Sequence, residues 1–146
     1  MSDSHDDLKD RCAKIEECYE FMLAYAAQGL RAEPGGGSGS QVRTLLNRCD
    51  EALDGLGDVL AEIVRSDQLR PTEKYDAFIA MLKRDASDAR AAVGLVLAQP
   101  SISSQLVDNL NASIHLRALL TDLFLIDEIV RAETVGSIPL VESGKP

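Results

Sequence analysis

Residues 41–65 read QVRTLLNRCDEALDGLGDVLAEIVR, and the apolar positions Val42, Leu46, Cys49, Leu53, Leu56, Leu60 and Ile63 recur at alternating four- and three-residue steps. Such a stripe follows one side of an α-helix and is stable only when packed against another helix. The same rhythm predicts helices over about 6–30, 71–98 and 102–133 alongside 41–65. The fold expected is all-α: an antiparallel up-down four-helix bundle, one domain over residues 1–133, with an extended C-terminal tail over 134–146.

Working outward, residues 33–40 read EPGGGSGS, which offers almost nothing to pack and predicts a flexible Gly/Ser loop. Ser40 is placed to cap the helix that follows. Within that helix Gly55 and Gly57 each cost about 1 kcal/mol relative to Ala, unless they admit a neighbouring backbone. The first helix carries Leu8, Cys12, Ile15, Tyr19, Met22 and Ala26 as its stripe, with Cys18, Phe21 and Tyr25 on a second edge. Ser4 and Asp7 resemble a capping box. The third helix opens at Pro71 and carries Tyr75, Ile79, Leu82, Ala86, Ala89, Val93 and Val96, and Gln99-Pro100 stops it. Ser101 is the expected cap of the fourth.

That fourth helix is apolar on most of its circumference in its second half. Leu116, Leu119, Leu120, Leu123, Phe124, Ile126, Ile129 and Val130, with Leu125, exceed what one side of a bundle helix requires. They are the expected interface, either with a second copy in a homodimer or with another protein. The tail holds Val135, Ile138, Leu140 and Val141 around Pro139, a composition suited to docking in a groove or to a frayed end.

Composition sets the outer bounds. A chain of 146 residues is long enough for a real core. Aromatics are 4% and Trp is missing, so that core is built from Leu, Ile, Val, Ala and Met. A net charge of −9 repels nucleic-acid phosphates and anionic lipid, so neither nucleic acid nor membrane is an expected partner. Three cysteines, Cys12, Cys18 and Cys49, do not pair into a framework. Cys12 and Cys49 sit on stripes as small hydrophobes, and Cys18 sits off them. The N-terminus is acidic, no apolar run approaches ~20 residues, and a reducing cytoplasmic setting is expected.

Chemical signatures are sparse. A di-iron bundle needs Glu-x-x-His pairs, and the chain has only His5 and His115. Glu16, Glu17, Glu20, Glu51, Asp54, Asp85 and Asp88 lie off the stripes and are expected to face solvent. Histidine phosphotransfer domains are helical bundles with one exposed His, but Ala118 and Leu119 stand where that pattern has Lys and Gly. Asn111, His115 and Arg117, with Asn109 and Ser113, interrupt the apolar rhythm of the fourth helix. They form a polar centre suited to fixing register or partner choice, or to lining a small pocket. No catalytic residue, cofactor or metal ligand is expected. The function read from the sequence is non-enzymatic: an adaptor, assembly chaperone or regulatory subunit acting through protein contacts. The alternative is phosphotransfer or metal or ligand binding centred on His115.

Overall fold

The computed structural model describes residues 2–35 and 39–136. These are all-helical, in six helices: α1 (Ser2–Ala27), α2 (Gln41–Leu53), α3 (Leu56–Ser66), α4 (Thr72–Leu97), α5 (Ser104–Ala112) and α6 (His115–Gly136). Two helices expected to be continuous are therefore broken.

The first break divides the stretch 41–65. Asp54 is extended, and Gly55 takes φ 79°, a left-handed conformation that glycine enters without steric cost. The apolar face survives the interruption. Val42, Leu46, Cys49, Leu53, Leu56, Leu60 and Ile63 are each at most 1% exposed. The second break falls at Ser113-Ile114, where Ile114 has φ 61°. That conformation is an outlier for a β-branched residue. The chain restarts at His115.

Helix ends follow ordinary capping chemistry. Ser40 caps α2 by accepting from the Arg43 N–H at 3.3 Å. Ser103, rather than Ser101, caps α5 by accepting from the Leu106 N–H at 3.1 Å. Helix α1 begins at Ser2, so Ser4 and Asp7 lie inside it, and it ends at Ala27, short of Leu30, because Gly29 turns left-handed at φ 69°. Helix α3 closes in a Schellman arrangement. The Leu69 N–H reaches Val64 O at 3.0 Å, the Gln68 N–H reaches Arg65 O at 3.2 Å, and Gln68 sits at φ 54°.

The core is aliphatic. Helix α1 packs against α2, α3, α5 and α6, and α4 packs against the same four. On α1 the buried line is Leu8, Ile15, Cys18, Met22 and Tyr25, while Cys12, Tyr19 and Ala26 are only partly buried. This corrects the placement of the cysteines: Cys18 is in the core and Cys12 at its margin. The two candidate lines share Leu8, Ile15 and Met22, and packing on several helices selects the Cys18 and Tyr25 edge.

Helix α6 runs through Gly136, so the first residues of the expected tail are helical. Residues 137–146, which hold the rest of that tail, lie outside the described residues, as do 36–38 of the Gly/Ser loop.

Candidate interaction face and the polar groups around it

Helix α6 divides its apolar residues between two destinations. Leu116, Leu119, Leu120, Leu123 and Ile126 are at most 4% exposed, taken up by the chain's own core. Contacts of α6 with both α1 and α4 cover those sides. The expected interface therefore narrows. Phe124 is 53% exposed, Leu125 51% and Ile129 37%, and Val130 is partly buried. At Phe124 and Val130, between α1 and α6, runs a groove of about 420 Å³ whose apolar walls also include Leu8, Cys12 and Leu123. Asp127 and Arg131, ion-paired at 2.6 Å, stand on its rim.

The expected polar centre does not assemble on one helix face. Asn111 belongs to α5 and is half-buried, with Oδ1 lacking a hydrogen-bond partner. His115 and Arg117 open α6 and are exposed. The change of direction at Ile114 breaks the helical phase that would have aligned them. Among the described residues, no group of three His, Cys, Asp or Glu side chains is arranged to hold a metal ion.

Two buried carboxylates stand out, and neither was legible as such in the sequence. Asp122 is 9% exposed, and its Oδ2 has no hydrogen-bond partner. Burial, a hydrogen bond shared with Asp85 on α4, and repulsion from that second carboxyl push its pKa up to about 7. Glu33, assigned to the loop, is buried instead. Its Oε1 accepts from Arg43 Nη2 at 2.9 Å and from the Ile102 N–H at 2.8 Å. Its Oε2 accepts from Arg43 Nε at 2.9 Å and from the Ser40 hydroxyl. Burial opposes its ionisation, but these donors outweigh it and hold the carboxyl below the usual range. Arg43 continues the network to Leu97 O at 2.8 Å and to Gln99 O. Nearby, Tyr25 donates to Ile102 O at 2.6 Å, and the Ser104 hydroxyl donates to Tyr25 O at 2.6 Å.

Cys12 and Cys49 are poor nucleophiles. Burial, Glu16 and Asp127 push the Cys12 thiol up to about 11. Cys49 is raised much further by its hydrogen bond with Cys18 and by burial. A protonated thiol does not attack. No helix among the described residues is long and apolar enough to cross a membrane. No protein-family model, curated protein or solved structure matches the chain.

Proposed function

We propose that the protein is a non-enzymatic helical module that self-associates through the outer face of α6. The observation that carries this reading is that Phe124, Leu125 and Ile129, three large apolar side chains within two turns of α6, are all exposed, with Phe124 also on the wall of an apolar groove. A two-fold interface needs one self-complementary patch. In an antiparallel α6–α6 pairing centred between Leu125 and Ile129, each of these residues of one copy faces the other residue of its mate. The acidic surface then sets orientation and disfavours wrong partners. Cys12, Cys18 and Cys49 are all free, in keeping with a reducing compartment.

We also take the helices to form four antiparallel columns, α1, α2–α3, α4 and α5–α6. The Glu33–Arg43 network supports this, because it gathers the end of α1, the start of α2, the end of α4 and the start of α5. At the opposite end His5 Nε2 meets Asp67 Oδ2 at 3.0 Å, joining the start of α1 to the end of α3.

Light scattering during size exclusion tests the self-association. The wild type is expected to run as a dimer, and Leu125→Asp with Ile129→Asp as a monomer of unchanged helicity. Leu123→Asp is no substitute, because Leu123 is 1% exposed and its loss breaks the core. A wild type that stays monomeric at high micromolar concentration overturns the proposal.

A further inference from the structure

The groove between α1 and α6 is a separate surface from the proposed pairing face. At 3.6 residues per turn, Leu123, Phe124, Asp127, Val130 and Arg131 share the side of α6 that lines the groove, while Leu125 and Ile129 lie on the opposite side. Leu8, Cys12 and Ala13 of α1 form the facing wall. An α6–α6 pairing through Leu125 and Ile129 therefore leaves the groove open, with Phe124 53% exposed on its wall.

We infer that the occupant of this groove is the chain's own C-terminal segment, with Ile138 and Leu140 seated between α1 and α6. Reach is the first argument. Helix α6 runs to Gly136, and residues 137–146 follow it. From Gly136 back to Asp127 is roughly 13 Å of helix at 1.5 Å per residue. An extended chain from Gly136 to Leu140 spans about the same distance at 3.3 Å per residue. Gly136 is also a residue that reverses the chain without steric cost. Composition is the second argument. Ile138, Leu140 and Val141 stand in an otherwise polar segment. In extended backbone the side chains of Ile138 and Leu140 fall on one face, the pattern an apolar groove takes up. Pro139 fixes its own φ, which reduces the freedom lost on docking. Charge is the third. A chain of net charge −9 repels acidic partners, whereas Glu142 and Lys145 of the segment cancel. Lys9, exposed on the groove rim, is a cation available to Glu142.

The covalent link makes a weak contact sufficient. A short tether gives an effective concentration of about 1 mM, so an intrinsic affinity of only about 0.1 mM fills the groove roughly nine-tenths of the time.

Cys12 reports on occupancy. It lines the groove and is partly buried, while Cys18 and Cys49 are 0% exposed. The full chain is treated with a small alkylating reagent and the rate at Cys12 is followed by mass spectrometry. Replacing Ile138→Asp and Leu140→Asp together is expected to speed that rate roughly tenfold at unchanged helicity, the ratio set by a groove filled nine-tenths of the time. In a second measurement, Leu140→Cys is oxidised with glutathione disulfide, which takes up the two electrons. A disulfide to Cys12 within one chain is expected, and Cys12→Ala abolishes it. Leu125→Asp with Ile129→Asp, the variant that tests self-association, is expected to leave the protection of Cys12 as it is, so the two readings fail separately. The inference is overturned if the Ile138 and Leu140 substitutions leave the Cys12 rate unchanged. It is equally overturned if the disulfide to Cys12 does not form or forms only between chains, or if protection disappears with the Leu125 and Ile129 substitutions.

Discussion

Glu33 keeps its charge with a side chain only 1% exposed, and Arg43, 12% exposed, answers it. Removing one member of such a pair strands the other, at a cost of about 3–5 kcal/mol. Glu33→Ala is accordingly expected to lower the denaturant midpoint sharply and to leave Arg43 without its carboxylate, an outcome read by equilibrium urea unfolding. The pair also links stability to acid. Because the folded chain holds the Glu33 carboxyl below its ordinary value of 4.5, its contribution is present above that pH. It is lost as the pH falls through the depressed folded value. Gln68 shows the opposite opportunity. It occupies the left-handed position of the α3 cap at φ 54°, where glycine is at ease and other residues are strained. Gln68→Gly is expected to raise the melting temperature by a few degrees, corresponding to roughly 0.5–1 kcal/mol. A fall would mean that the polar side chain contributes more than the strain costs.

The two helix breaks show what periodicity reveals and what it hides. The stripe from Val42 to Ile63 was legible because apolar spacing reports which side is buried, and that side is continuous across Asp54-Gly55. The kink was not legible, since a glycine within a periodic run reads equally well as a tolerated helical residue. Gly55 and Gly57 are now distinguishable. Gly55→Ala forces a Cβ into the left-handed region and is expected to cost about 1–2 kcal/mol. At Gly57 a new Cβ would run into the Lys83 side chain, close to its Cγ. Cγ lies at the root of that side chain, next to the α4 backbone, so swinging the exposed amino end away does not relieve the clash and α3 and α4 must give. Gly57→Ala is therefore expected to cost at least as much as Gly55→Ala, with thermal melts of both variants deciding the order. At Ile114 nothing in the residue type announces a left-handed turn, so the fourth helix looked unbroken. The break explains why Asn111, His115 and Arg117 did not converge. Likewise the greasy circumference of α6 was readable, but not its division between core and surface, because hydropathy does not say which neighbour covers which side. Glu33 was hidden by its Gly-rich surroundings, and Cys18 by sitting next to Tyr19, a position that fits the stripe equally well.

For the molecule as a unit, two buried carboxyls pull the pH dependence in opposite directions. Asp122 binds its proton more tightly in the folded chain than in the unfolded one. Its contribution is thus full below the ordinary value of 3.8 and is lost as the pH rises through about 7. Glu33 acts the other way. Together they favour a stability maximum near the ordinary carboxylate values, between 3.8 and 4.5, with a decline from there up to about 7. Asp122→Asn is expected to flatten the decline on the alkaline side, raising stability above neutrality by roughly 1–2 kcal/mol, with little effect in acid. Chemical denaturation across that pH range checks it, and an unchanged alkaline decline would show that the buried Asp122 carboxyl is not its source. The bond between Glu33 and the Ser40 hydroxyl has an engineering corollary. It buckles the chain on both sides of the Gly/Ser turn, so a foreign peptide or fluorescent reporter spliced between Gly35 and Gly39 would hang from a closed clasp. Lengthening a turn already fastened at its base adds little closure entropy, which makes this the natural graft point for tethering the protein to a surface or a label.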